Sequence, residues 1–244
     1  MRTESRLHKP IFLLADSQML FWSEHNVRFL SHIVDALEIE PPRAKAAYLG
    51  ASNGDSPEFF DLFKAAFVDV GVTNCMHVHA EASPEELAFL EQSNLILLAG
   101  GDVDLGYRAL EKAGLVERLR NYWSDGAILI GVSAGAVQIG VRVDATARVT
   151  GNSLCLVPYV VAAHEDPEWE SLRSLIERTQ GSQIGLGIPA GGAAIVYPDG
   201  SVEPVRKPIA EVTCQGGTVR IRDLVSANPQ EALQVSPRSD YSLN

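Results

Sequence analysis

Residues 127–139 read AILIGVSAGAVQI, and this stretch decides the fold. Its first half, Ala127 to Val132, is an apolar run typical of a buried parallel strand, and the small apolar residues from Ala134 onward can begin a helix. The junction, Gly131 to Gly135, matches G-x-S-x-G, in which glycines allow a sharp turn at the end of a strand. The stretch therefore predicts a strand–turn–helix unit that lifts Ser133 to the carboxyl edge of a sheet. A Gly/Ala-rich crossover, with Ser133 as a simple helix cap, is the other interpretation.

Outward from this unit, short apolar runs alternate with amphipathic stretches through the first 150 residues. Such alternation indicates a parallel sheet covered by helices on both faces. After His164 the pattern changes to short strands that we expect to pair antiparallel, and Asp199-Gly200 is a hairpin signal. We predict one α/β domain over residues 1–244, with three layers and a mostly parallel central sheet. A β-rich C-terminal segment spans about 184–222 and a tail spans 223–244. The predicted parallel strands are residues 11–15, 46–49, 76–79, 95–99 and 127–132.

Composition limits the function classes. The 244 residues carry 20 Lys and Arg against 31 Asp and Glu, a formal net charge of −11, and 46% are hydrophobic. The acidic balance argues against a nucleic-acid or anionic-membrane surface. The three widely spaced cysteines form no CxxC pair, so we expect no disulfide framework, no metal site and no cofactor. We expect a soluble cytoplasmic protein that binds neither nucleic acid nor membrane; a homodimer is left open.

The serine motif predicts nucleophilic chemistry. The Ala134 backbone N–H would face an oxyanion formed at Ser133. Gly101 follows the predicted strand 95–99, and because loops after neighbouring parallel strands meet at one edge, its N–H can be a second donor. An ordinary strand-ending turn is the alternative for Gly101. A serine nucleophile needs a base, and His164 lies in a loop-like segment, where an exposed histidine flanking a helix is the alternative.

Three segments together resemble the peptidase E (aspartyl dipeptidase) and cyanophycinase family of serine peptidases: Leu98–Asp102, Gly131–Ala136, and Pro158 with His164. The resemblance runs from about Ile11 to Val205. It implies a fold similar to class I glutamine amidotransferases, with serine in place of their cysteine nucleophile. Family members cleave peptide or isopeptide bonds next to aspartyl residues.

The resemblance also implies roles for four residues of this chain. Ser133 is the nucleophile and His164 the general base, while Gly101 and Ala134 donate the N–H groups of an oxyanion hole. The implied substrate is a small peptide or amide.

The sequence departs from the family pattern where relatives carry a catalytic acid. Ala190 stands at the matching position, although the acid normally orients the imidazole and stabilises the imidazolium. A nearby carboxylate can substitute, a Ser–His dyad can act alone, or the protein is a weak or inactive relative that binds a peptide-like ligand. The substituting candidates are Glu165, Asp166, Glu168 and Glu170.

Two further residues are candidates for substrate binding. Asp102 could pair with a substrate amine or guanidinium. Arg173 could hold a substrate carboxylate, and a solvated helix charge is its other interpretation. Because Asp102-Val103-Asp104 also departs from the family pattern, an aspartyl substrate does not follow from the resemblance.

The leading hypothesis is a serine hydrolase with an acyl-enzyme mechanism. The second is a non-catalytic binding protein, which Ala190 favours. The third is a glutaminase-type amidotransferase subunit, and Ser133 argues against it because such subunits use a thiolate nucleophile.

Overall fold

The computed structural model of the chain describes residues 8–144, 146–165 and 168–226. Strands and helices alternate through the first half, as the apolar runs predict. In chain order the elements are β1 (Ile11–Leu14), β2 (Ser23–Glu24), β3 (Val27–Arg28), α1 (Phe29–Asp35), β4 (Lys45–Leu49), α2 (Pro57–Asp69), β5 (Asn74–Val78), α3 (Pro84–Glu91), β6 (Leu95–Leu98), α4 (Val103–Lys112), α5 (Leu115–Ser124), β7 (Ile128–Val132), α6 (Ala134–Ile139), β8 (Tyr159–Ala163), α7 (Glu170–Arg178), β9 (Ile184–Ile188), β10 (Ala193–Val196), β11 (Val202–Val205), β12 (Ile209–Gln215) and β13 (Thr218–Leu224).

The main sheet has the strand order β11-β10-β1-β7-β6-β4-β5. Strands β1, β7, β6, β4 and β5 are parallel, whereas β10 and β11 pair antiparallel at one edge. The turn that joins β10 to β11 contains Asp199-Gly200, so the predicted hairpin is confirmed.

Helices cover both faces of this sheet because alternate strand residues point to opposite sides. On one face, Leu13 and Ile96 pack with Leu119 of α5 and Ile139 of α6. On the other face, a separate apolar cluster joins the sheet to α1 and α2; its members include Phe12, Leu97, Ile33, Phe63 and Phe67. The predicted three-layer α/β fold is therefore confirmed. Within the described ranges, none of the helices is both long and apolar enough to cross a membrane.

A second sheet has the order β13-β12-β9-β8 and packs against α7. The expectation of antiparallel strands is wrong for β9, which pairs parallel with β8 and antiparallel with β12. Strands β8 and β12 were not predicted from the sequence, although β12 shows the alternating burial typical of a half-covered strand. Strand β13 continues to Leu224, past the predicted end of the β-rich segment, because it pairs with β12 along its whole length.

Two glycines let α6 lie directly against the ends of β6 and β7. A Cβ on Gly135 would overlap the carbonyl group of Leu98, and a Cβ on Gly131 would lie 2.6 Å from the Ala136 Cα. A larger residue at either position would push the helix away from the sheet. The two glycines of G-x-S-x-G are therefore required by the packing around Ser133.

We expect the substitution Gly135→Ala to lower the free energy of unfolding by about 1–3 kcal/mol, because the added methyl group meets the rigid Leu98 backbone. Urea denaturation followed by circular dichroism measures the change. Gly151→Ala is the matched control, since nothing lies within 4 Å of a Cβ at Gly151, and its effect should stay within about 0.5 kcal/mol. Equal stability of the two variants would contradict the packing argument.

Candidate active site

Ser133 lies on the turn between β7 and α6 with φ 50° and ψ −109°, a conformation that non-glycine residues seldom adopt. Its backbone is fixed on both sides. The Ser133 N–H donates to the Leu14 carbonyl (2.9 Å), and the Ser133 carbonyl accepts from the Val137 N–H (3.1 Å). The Ser133 hydroxyl contacts the His164 ring and makes no hydrogen bond to the start of α6. Its side chain therefore does not act as a helix cap.

His164 follows β8 directly and comes from the second sheet. Its backbone N–H donates to the Ile188 carbonyl (2.8 Å), which ties it to the end of β9. Its Nε2 lies 2.7 Å from the Ser133 Oγ. That distance is within the reach of a base that removes a proton from a serine hydroxyl.

The loop after β6 lies beside Ser133. A Cβ on Gly100 would be 3.3 Å from the Ser133 Cβ, and Gly101 has φ 138°, a region that favours glycine. A Cβ on Gly101 would overlap the carbonyl group of Ser52. Glycine at 101 therefore keeps this loop close to the serine.

A groove of about 390 Å³ brings the predicted catalytic residues together; Gly101, Ser133, Ala134 and His164 all line it. We call it the Arg142 groove, because among its described lining residues Arg142 is the one lysine or arginine. The Arg142 guanidinium hydrogen-bonds Asp104 and holds the pKa of that carboxyl below its usual value. Arg142 was not predicted from the sequence, because no local pattern links it to Ser133.

Arg173 lies elsewhere. It lines a surface depression together with Glu170, Glu177 and Val219. The face of α7 that reaches the Arg142 groove carries Leu172 and Leu175 instead. Arg173 and Glu170 therefore line the same depression, and neither lines a cavity that contains Ser133 and His164.

Asp102 caps α4. Its carboxylate accepts a hydrogen bond from the Leu105 N–H (2.7 Å), while its own N–H donates to the Ser52 carbonyl (2.7 Å). A capping role of this kind accounts for an aspartate at the start of a helix. The side chain is exposed, and a role in substrate binding stays a prediction.

The remaining acid candidates follow His164 in the sequence. Glu165 lines the Arg142 groove, Glu168 is exposed, and Asp166 lies outside the described residues. Among the described residues, the hydrogen-bond partner of the His164 ring is Ser133. Which group orients the imidazole therefore stays a prediction.

The loop around Ala190 connects to a carboxylate that sequence analysis did not single out. The Ala190 carbonyl accepts from the Lys207 ammonium (2.6 Å), and the Gly191 N–H donates to the Asp16 carboxylate (2.6 Å). Asp16 also accepts from the Gln18 N–H (3.0 Å). Asp16 thus comes to the carboxyl edge of the sheet from the end of β1, far from residue 190 in sequence.

A second cavity of about 290 Å³ opens on the serine from the side of α2 and contains both Ser133 and His164 in its lining. We call it the Phe63 cavity. Its apolar walls are Leu20, Phe59, Leu62, Phe63, Leu97, Ala99 and Val132. Its polar lining includes Asp16, Ser17, and a Tyr48 hydroxyl that accepts from the Asn53 amide (2.8 Å). Burial raises the pKa of Tyr48 above its ordinary value, so this hydroxyl is even less ionised at neutral pH than a solvated tyrosine.

His77 supports the loop that carries Asn53. Its Nε2 lies 3.6 Å from the Asp55 carboxylate, and its ring stacks on Phe60 with centroids 5.1 Å apart. Burial, and then the charge of His79, lower the pKa of His77, although Asp55 and Glu86 oppose the shift. Among the described residues, no group of His, Cys, Asp and Glu side chains could hold a metal ion.

Fold and site together define a three-layer α/β protein with a serine–histidine pair at the carboxyl edge of its parallel sheet. The sequence model of peptidase family S51 matches residues 11–204. The chain therefore belongs to peptidase family S51.

Individual proteins similar to this chain are also described as peptidases. The chain is 26% identical over 113 residues to YgaJ, an uncharacterized peptidase of Bacillus subtilis strain 168, and the match covers 46% of the chain. The chain thus spans about half (48%) of the length of that relative. The fold is similar to a peptidase from an acI-B1 Actinobacterium, with a TM-score of 0.64 and 14% identity over 93% of this chain and 98% of the other. A Listeria monocytogenes EGD-e protein assigned as a peptidase E gives a TM-score of 0.60 and 16% identity over 82% and 98% of the two chains.

We expect acid to weaken the fold partly through His77. Because the folded protein lowers the His77 pKa below the ordinary histidine value of 6.5, this histidine contributes stability above that pH and loses it as the pH falls. The free energy of unfolding of the wild type should therefore drop more between pH 7.5 and pH 5 than that of His77→Gln, as measured by urea denaturation. Identical pH dependence in the two proteins would show that His77 is not the source.

Proposed function

We propose that the protein is a serine peptidase that cleaves a small peptide or amide through an acyl-enzyme. The observation that carries the proposal is the 2.7 Å separation of Ser133 Oγ and His164 Nε2. The packing of α6 against the strands holds the serine in the strained turn that directs its side chain toward the histidine. Family membership supports it independently.

In the proposed reaction, the Ser133 oxygen attacks the substrate carbonyl while His164 Nε2 takes the hydroxyl proton. The backbone N–H groups of Gly101 and Ala134 stabilise the negative oxygen of the tetrahedral intermediate. His164 then returns the proton to the leaving amine, and the C–N bond breaks to leave an ester on Ser133. A water molecule, deprotonated by His164, hydrolyses that ester and restores the free serine.

The Ser–His pair is the part of the machinery on which this proposal depends. Removing the acid of a triad typically lowers turnover by about 10⁴-fold, mainly through the wrong imidazole tautomer. With alanine at 190, turnover depends on whichever group orients the imidazole, and Glu165, Asp166 and Glu168 are the candidates near His164 in sequence.

An alkyl fluorophosphonate tests the nucleophile without assuming a substrate. We expect it to add one phosphonyl group to the wild type, and Ser133→Ala to abolish that addition, as measured by intact-protein mass spectrometry. Ser17→Ala is the matched control, because Ser17 lines the same Phe63 cavity, and it should react like the wild type. His164→Gln should slow the reaction by at least about 100-fold, since the base is lost.

Equal labelling of the wild type and Ser133→Ala would overturn the proposed nucleophile. Ala190 favours one other function, a protein that binds a peptide-like ligand without turning it over. That function predicts no fluorophosphonate addition and ligand affinity that His164→Gln leaves unchanged.

A further inference from the structure

The Phe63 cavity opens on the proposed nucleophile. Ser133, His164 and Gly101 all belong to its lining. A group that fills this cavity is therefore next to the bond that Ser133 would attack. The chemistry of its walls then decides which side chain can lie beside that bond.

The walls are mainly apolar, and part of that surface faces solvent. Phe63 and Leu97 are buried at 1% and 2% exposure, whereas Phe59 and Leu62 of α2 are exposed at 49% and 45%. Exposed apolar side chains beside a cavity favour a ligand that covers them, because covering them removes apolar surface from water.

The charges in the cavity disfavour an acidic side chain. Asp16 contributes a carboxylate, and the described lining includes no lysine or arginine. An aspartyl side chain would lose its hydration there without a cation to compensate, and it would be repelled by Asp16. A substrate ammonium group could instead approach Asp16, whose two oxygens accept only backbone N–H groups among the described residues.

The Phe63 cavity and the Arg142 groove meet at Ser133, so each can hold the part of the substrate on one side of the scissile bond. The leaving amine must receive its proton from His164, and the neighbours of that histidine, Ala163 and Glu165, line the Arg142 groove. Because Ser133 and His164 line both cavities, we place the leaving group in the Arg142 groove and the residue that keeps the scissile carbonyl in the Phe63 cavity.

We propose that the Phe63 cavity binds a large apolar side chain, such as that of phenylalanine or leucine, on the acyl residue of the substrate. The inference rests on the proposed function and narrows its substrate class. An aspartyl acyl residue is a poor substrate of this protein.

Diphenyl phosphonates test this choice, because one reactive group can carry different amino-acid side chains. We expect the second-order rate of Ser133 modification, followed by intact-protein mass spectrometry, to be at least about 50-fold higher for the phenylalanine and leucine analogues than for the aspartate analogue. The alkyl fluorophosphonate, which carries no amino-acid side chain, reports the reactivity of Ser133 separately.

The outcomes separate the two claims. If the fluorophosphonate labels Ser133 but the aspartate analogue reacts equally well or better, or if none of the three analogues reacts, the inference is overturned and the proposed function stands. If the fluorophosphonate does not label Ser133, the proposed function fails and the inference fails with it.

A positive charge introduced on α2 tests the cavity itself. Leu62→Arg places a cation at the lining, so we expect the phenylalanine analogue to react about 10-fold more slowly and the aspartate analogue to react faster. Val68→Arg is the matched control, because Val68 lies on the same helix with the same 45% exposure but outside the cavity lining. Unchanged side-chain preference in Leu62→Arg, with native circular dichroism, would contradict the proposal.

Discussion

The packing of α6 against the ends of β6 and β7 is the constraint on which the site depends. It holds Ser133 at φ 50° and ψ −109°, a conformation that costs about 1–3 kcal/mol and persists only where surrounding structure enforces it. The enforcement comes from Gly131 and Gly135, which allow helix and strands to approach too closely for other side chains. As a result the Ser133 hydroxyl does not cap α6. It lies at the carboxyl edge of the sheet, within hydrogen-bond distance of His164.

The second constraint is that Ser133 and His164 come from different sheets. Ser133 follows β7 of the main sheet, whereas His164 follows β8 and is tied to β9 of the second sheet. Their 2.7 Å contact therefore requires both sheets to be correctly placed. The second half of the chain is thus part of the site, because it supplies the proposed base and part of the walls of the Arg142 groove.

The sequence was most informative where local patterns determine structure. Continuous apolar runs predicted the buried parallel strands, and G-x-S-x-G with its neighbours predicted the turn at Ser133. Strand β8 was missed although its five residues, YVVAA, form a short apolar run like those of the predicted strands. Asp16 and Arg142 were missed because their contacts are distant in sequence: Asp16 bonds Gly191, 175 residues away, and Arg142 pairs with Asp104, 38 residues away. Contacts at such separations leave no local periodicity to recognise. In the same way, the apolar wall residues of the Phe63 cavity come from four separate segments of the chain.

A crystal structure of the wild-type protein after reaction with a fluorophosphonate tests the central claim most directly. We predict phosphorus bonded to the Ser133 Oγ, with the phosphoryl oxygen about 2.7–3.1 Å from the backbone nitrogens of Gly101 and Ala134. His164 Nε2 should remain beside the modified oxygen. An adduct on another residue, or a phosphoryl oxygen directed away from both N–H groups, would contradict the account.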